Sequence, residues 1–266
     1  MKKLIITLLI ILCLPLSAFA VPTEVKVPVL LYHNVAEEYA PEDALLHITP
    51  DLLREHMEAL VGEGYTPITL TDYYDFLSEG VELPEKSVII TFDDGYISNY
   101  TYAYPLLKEM GLKATIFIIT ETVGSTTTDY PHFTWEEAIE MEESGVIDIQ
   151  SHSHSHRAMA LLNFFDINKE MRYSKYLIEV NMGKECSFMA FPYGSYNEVA
   201  KLAARYAGYK FALIVGDKGF NTADSDPYEL KRLTARGDQT GAQLLEMIEN
   251  ELNPVAEDGN MSDMQA

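Results

Sequence analysis

Cysteine is nearly absent: the 266 residues hold two, Cys13 and Cys186. Cys13 sits in the amino-terminal apolar stretch, and once that stretch is cleaved Cys186 stands alone, so no intramolecular disulfide forms and stability must come from a core. Basic residues are scarce as well, with 19 Lys and Arg against 41 Asp and Glu and a formal charge of -22. That balance excludes nucleic acid as a partner, because phosphate binding needs clustered cations. The acidity reads as a solubility device. No Pro/Gly/Ser-rich linker and no internal repeat divides the body, which leaves a single domain over residues 21–252.

Long apolar runs are missing too, apart from one at the start. Met1-Lys2-Lys3 precede an apolar run from Leu4 to Pro15, which is shorter than the roughly 20 residues of a membrane span, and Ala18 and Ala20 supply the small residues of a cleavage site. The pattern predicts a signal peptide over 1–20, a secreted or cell-envelope location (extracellular or periplasmic), and no transmembrane segment after cleavage. Leu12 is bulky where a lipid-anchor motif ending at Cys13 would need a small residue. Residues 253–266 are acidic and polar, which predicts a disordered tail.

Between the ends, short apolar runs alternate with amphipathic stretches. Val27–Tyr32, Ser87–Phe92, Ala114–Ile119, Val146–Gln150, Phe188–Phe191 and Phe211–Val215 read as buried strands. Asp51–Gly62, Ser98–Met110, Thr134–Ser144, Lys169–Asn181, Asn197–Ala207 and Gln239–Leu252 read as helices, several of them closed by a glycine just past the last turn. The alternation predicts an α/β fold, a distorted barrel of about seven parallel strands.

Two clusters stand at strand ends. Thr91-Phe92-Asp93-Asp94-Gly95 places two carboxylates where a strand passes into a turn, the active end of an α/β barrel, and neighbouring side chains on extended backbone point apart. Asp-Asp-Gly is also ordinary turn chemistry. Gln150 to His156 holds His152, His154 and His156, three of the seven histidines. Imidazoles with a carboxylate form a normal ligand set for a divalent ion, and three ligands leave the open position of a catalytic site. Spacing alone does not choose among the three histidines, and a solvated histidine-rich loop has the same composition.

Taken together, in this order, the two motifs resemble the polysaccharide deacetylases of carbohydrate esterase family 4, the nodulation deacetylase homology domain. The likeness runs from about Val27 to Leu252 and includes Tyr102, Tyr104 to Lys108, Lys113 to Phe117, and Thr134-Trp135. It implies Asp93 as catalytic base, and one divalent metal, zinc with cobalt, nickel or iron as alternatives, on Asp94, His152 and His156. His154 is left as a bystander. Phe191-Pro192-Tyr193-Gly194 resembles the third motif, whose tyrosine N–H helps stabilise the oxyanion and whose Pro192 lines the pocket. The chain departs from the family twice. Met189-Ala190-Phe191 stands where most relatives carry an arginine that steadies the base, and no histidine follows His156 to serve as the acid. Leu31-Tyr32-His33 supplies the acid motif from the other end, as in the circularly permuted branch that includes biofilm poly-N-acetylglucosamine deacetylases. His33 is then the acid and Leu31 lines the acetyl pocket. The same branch suggests Arg232 as partner of Asp93, against the alternative of a strand-edge surface arginine.

The function implied is removal of N-acetyl groups from an extracellular or cell-wall N-acetylglucosamine polysaccharide, with poly-β-1,6-N-acetylglucosamine as the branch's substrate. Alternatives on the same site are peptidoglycan, chitin oligomers or an O-acetyl ester on xylan; an alternative of another class is a noncatalytic carbohydrate-binding protein that kept the metal site.

Overall fold

The computed structural model describes residues 25–127, 130–216 and 219–253. The signal peptide expected over 1–20, and all but Asn253 of the expected tail, lie outside the described residues. The strands are β1 (Val29–Tyr32), β2 (Asn34–Val35), β3 (His47–Ile48), β4 (Thr66–Pro67), β5 (Ser87–Phe92), β6 (Ala114–Ile118), β7 (Ile147–Ser151), β8 (Phe188–Ala190), β9 (Phe211–Leu213) and β10 (Leu233–Thr234). The α-helices are α1 (Pro50–Gly62), α2 (Leu70–Glu79), α3 (Tyr104–Met110), α4 (Trp135–Glu143), α5 (Phe164–Met182), α6 (Glu198–Ala207) and α7 (Gly241–Leu252).

Seven strands form one curled parallel sheet in the order β10-β1-β5-β6-β7-β8-β9, with β4 added on β5. The α/β class and the distorted barrel expected from the sequence are therefore present, as a half-barrel. Between β9 and the approach to β10 a lone parallel bridge, Leu213 to Leu230, spans the gap. Parallel strands covered on both faces read as continuous apolar runs, and every residue of β5 and β6 is buried.

The apolar side chains sort into two layers by strand alternation. Leu30, Ile90 and Ile116 join the layer beneath the helices, whereas Val29, Ile89, Phe117, Phe188 and Phe211 point inward. Leu70, Tyr73 and Phe76 of α2 pack into this inner cluster, with the Tyr73 and Phe211 ring centroids 5.8 Å apart. Since Phe188 and Phe211 open their strands, α2 plugs the amino-terminal end of the half-barrel and leaves the carboxyl-terminal end free. This helix was not expected from periodicity. Its signals were local: the Thr69 and Asp72 capping box and Gly80 in the left-handed region at φ 72°.

The other differences follow hydrogen bonding. Residues 99–103, expected as ordinary α-helix, form a π-helical turn before α3, and there the Asn99 amide reaches the His33 carbonyl at 2.8 Å. Strand β8 stops at Ala190, whose carbonyl accepts from the His152 ring rather than from a neighbouring strand.

Candidate active site

The open end gathers groups from six chain segments. Asp93 follows β5 and extends its pairing by donating its N–H to the Tyr32 carbonyl (3.0 Å). Asp94 then turns to φ 74°, so the adjacent carboxylates diverge. Gly95 comes next, where a Cβ would meet Ile118 at 3.0 Å, too close for a larger residue. Asp94, Ser153, His156 and Tyr193 are the non-glycine residues with positive φ among those described, and all four stand here. Such backbone costs about 1–3 kcal/mol per residue and persists only where surroundings impose it.

The surroundings of the histidine loop are specific. The His152 N–H donates to Ile118 O (2.8 Å), the His156 N–H to Ser153 Oγ (3.2 Å) and the His152 ring Nδ1–H to Ala190 O (2.9 Å). The last bond sets the tautomer that turns a lone pair on Nε2 outward. Glu170 of α5, a buried carboxylate, accepts from both the N–H (2.8 Å) and the hydroxyl (2.6 Å) of Ser155, clamping the loop between the two outer histidines.

One ligand atom each from Asp94, His152 and His156 lies within 4.8 Å of the others. Asp94 Oδ1 is 3.6 Å from His152 Nε2 and 3.5 Å from His156 Nε2, long for hydrogen bonds and suited to donors around a shared cation. The donor set fits a divalent ion. Burial, then the neighbouring His152 charge, pushes the His156 imidazole down to about 4, which keeps it in its neutral, ligating form. His154 points elsewhere: its Nδ1 meets Thr120 Oγ1 at 3.1 Å and its ring packs edge-on to Tyr173.

Asp93 is held by Arg232, which is fully buried and reaches both carboxylate oxygens at 2.7 Å while its Nε donates to Ile214 O (3.0 Å). Burial opposes ionisation of Asp93, but the Arg232 charge and hydrogen bonds, with His152, outweigh it and hold the carboxyl well below the usual range. Asp93 Oδ2 is also 3.6 Å from His152 Nε2. His33, at the exit of β1, has a ring Nδ1 without a hydrogen-bond partner among the described residues. Burial lowers its pKa, and the Asp93 and Asp94 charges offset part of that. Leu31 is fully buried opposite Thr91, and Pro192 is buried under the Tyr193 turn. The Tyr193 ring is exposed and lies 4.4 Å from that of His156. Met189 and Phe191, where an arginine was missed in the sequence, fill the layer beneath the helices.

Sequence reasoning overlooked Tyr96 and Glu170. Tyr96 stands near Asp94, so that burial and then the Asp94 charge raise its hydroxyl pKa, and it was visible one residue past the Asp-Asp-Gly turn; Glu170 is placed only by the packing of α5.

The profile of the polysaccharide deacetylase family matches residues 80–212. The Bacillus subtilis protein YxkH is 32% identical over 225 residues, 85% of this chain and 77% of the relative. The chain belongs to the polysaccharide deacetylase family. A poly-β-1,6-N-acetyl-D-glucosamine N-deacetylase of Staphylococcus epidermidis is 29% identical over 200 residues, 72% of this chain and 68% of the relative. Among solved structures, the Streptococcus pyogenes deacetylase PplD in complex with acetate superposes with a TM-score of 0.77 at 26% identity over 86% of this chain and 99% of that one. IcaB from Ammonifex degensii shares the fold, with a TM-score of 0.74 at 21% identity over 84% and 96% of the two chains. The deacetylase is thus a hydrolase rather than a noncatalytic binder, and its His33 and Arg232 both lie outside the matched stretch.

Proposed function

We propose that this deacetylase removes N-acetyl groups from an extracellular β-1,6-linked N-acetylglucosamine polymer, using a divalent ion, zinc by donor type, on Asp94, His152 and His156. The observation that carries the chemistry is the Asp93 carboxyl, bonded at both oxygens by the buried Arg232, beside the three clustered donors. The relative from Staphylococcus epidermidis supports the choice of polymer, and the signal-like residues 1–20 support export.

The ion, when bound, supplies Lewis acidity that makes water acidic near neutral pH and polarises the acetyl carbonyl. Asp93 takes the proton from the attacking water, and Arg232 keeps its carboxylate oriented and charged. The Tyr193 backbone N–H donates to the oxyanion as the carbonyl becomes tetrahedral. His33, protonated, gives its proton to the departing amine, which leaves poorly without it. Leu31 and Pro192 form the apolar ground beneath the acetyl methyl group. Acetate and a glucosamine unit result.

The test is acetate release from β-1,6- and β-1,4-linked N-acetylglucosamine oligomers, from peptidoglycan and from acetylated xylan. The expected result is preference for the β-1,6 oligomers, loss of activity with chelator and recovery with zinc. Turnover of xylan esters alone, or activity indifferent to chelator, would overturn the proposal.

A further inference from the structure

His33, the acid under the proposed function, has its ring Nδ1 sealed from solvent without a hydrogen-bond partner among the described residues. A second sealed and unpaired atom belongs to the residue bonded to it: Oδ1 of Asn99, a side chain with no exposed surface, whose amide nitrogen donates to His33 O. Buried polar atoms are almost always paired in folded proteins, so an unpaired donor and an unpaired acceptor on two bonded residues need a physical reason.

The junction around them is built from one loop. Beyond the last paired residues, Tyr32 of β1 and Phe92 of β5, the segment after β5 takes up the β1 carbonyls in turn. The Asp93 N–H holds Tyr32 O (3.0 Å), and the Asn99 side-chain amide holds His33 O (2.8 Å). Ser98 Oγ then donates to Asn34 Oδ1 (2.5 Å) and accepts the Val35 N–H (3.1 Å). Asn99 opens the π-helical turn 99–103, and the Tyr104 N–H closes that turn on Asn99 O. Such turns are rare and are found disproportionately at functional sites. The loop that carries the proposed base at Asp93 therefore also grips the backbone of the proposed acid. A carbonyl only accepts, so Asn99 must turn its nitrogen to His33 O, and its oxygen is left as an acceptor for a nitrogen that can donate.

We propose that Asn99 is the positioning residue of the acid: its nitrogen fixes the His33 backbone, and its oxygen accepts the Nδ1–H of the His33 ring, directly or through one bridging water. The ring is thereby oriented with Nε2 toward the departing amine. The proton transferred leaves from Nε2 while Nδ1 keeps its own, so the neutral ring that remains is the Nδ1–H tautomer. A neutral amide does this without adding charge beside Asp93 and Asp94. The kinetic consequence rests on the proposed role of His33 as acid; the contact between the two side chains does not.

The contact is read without turnover, from the nitrogen and proton NMR shifts of the His33 ring in the zinc-loaded protein at a pH where the ring is neutral. The expected result is the Nδ1–H tautomer in the wild type and in Asn99→Asp, which keeps an acceptor, and loss of that preference in Asn99→Ala. The Nε2–H tautomer in the wild type, or one tautomer shared by wild type and Asn99→Ala, overturns the proposal; the wild-type spectrum alone can do so should Asn99→Ala fail to fold. Kinetics then separates positioning from a general loosening of the loop. Asn99→Ala is expected to lower kcat about tenfold on N-acetylglucosamine oligomers with KM within about twofold of wild type, to spare an acetyl ester with a good leaving group, and to add no further loss to His33→Gln. Equal losses on amide and ester, or losses that multiply with those of His33→Gln, overturn the positioning role. Absence of acetate release by the wild type overturns the proposed function instead, and the tautomer comparison still decides the contact.

Discussion

The central stretch 80–212 and the two outlying strands, β1 and β10, reach one site by different physics. In the centre, the groups leave strands β5, β7 and β8 of the matched stretch, and what holds them is strained backbone under close restraint: Asp94, Ser153, His156 and Tyr193 at positive φ, tied by bonds such as His156 N–H to Ser153 Oγ and the His152 ring to Ala190 O. On the flanks nothing is local. Arg232 and Asp93 are 139 residues apart, and they meet because β10 pairs with β1 and β1 with β5. Their contact is a desolvated ion pair, weak evidence of net stability but severe when half is removed. Under the proposed function the centre holds the metal donors and Asp93, and the flanks supply the Arg232 charge that acts on Asp93 and the His33 ring.

The sharpest test of that division is within the centre. Asp93→Asn is expected to lose about 10⁴-fold in kcat while retaining zinc, and Asp94→Ala to lose both activity and metal. Equal metal content in the two purified variants would break the assignment of roles to adjacent carboxylates.

Next comes the flank. Arg232→Ala strands a buried carboxylate and is expected to cost about 3–5 kcal/mol in urea unfolding, with Arg232→Lys losing less because it keeps charge but not the paired bonds. The pH dependence has a definite sign. Asp93 is depressed in the fold, so its contribution is present above the unfolded-state pKa and disappears as pH falls through the folded one. Without the guanidinium, burial dominates and raises the carboxyl, so the acidic limb of the rate profile moves to higher pH. Full activity with an unmoved profile would remove Arg232 from the site.

His33→Gln is expected to reduce turnover of amide substrates about 10²-fold, and to reduce turnover of an acetyl ester with a good leaving group far less. Equal losses on both substrates would show that His33 positions rather than protonates.

The smallest effect concerns how the flanks are joined. His56 of α1 bridges Tyr32 of β1 (Tyr Oη to Nδ1, 3.1 Å) and the Gln239 carbonyl beyond β10 (2.7 Å), an arrangement that the neutral ring satisfies by accepting at Nδ1 and donating from Nε2. Burial lowers its pKa, only partly offset by the Gln239 bond. The unfolded chain takes up that proton near its ordinary pKa, so stability is constant above it and declines as pH falls toward the folded value. His56→Gln should lower Tm at pH 7.5 by the equivalent of about 1 kcal/mol and flatten the decline toward pH 5.5. An unchanged slope would mean that other buried histidines carry it.

Legibility followed the same boundary. Helix limits near α1, α4 and α6 were readable because proline, threonine or asparagine at the start and glycine near the end act through adjacent backbone. Helix α2 was overlooked although Leu70, Tyr73 and Phe76 recur at helical spacing and pack together into the inner barrel cluster. Among histidines, 152, 154 and 156 were equivalent in spacing; only the left-handed turns at Ser153 and His156 separate the two that face Asp94 from the one that faces Thr120.

The sequence by itself determined the strand and helix alternation, the placement of two carboxylates and three histidines at strand ends, and the family those motifs denote. These depend on residues within a few positions of each other, where sterics and hydrogen bonding are fixed by the chain. Tertiary structure alone decided that Arg232 is buried against Asp93 and that Glu170 clamps the histidine loop. Those contacts exist only once a curled sheet has closed β10 onto β1 and desolvated what lies between them.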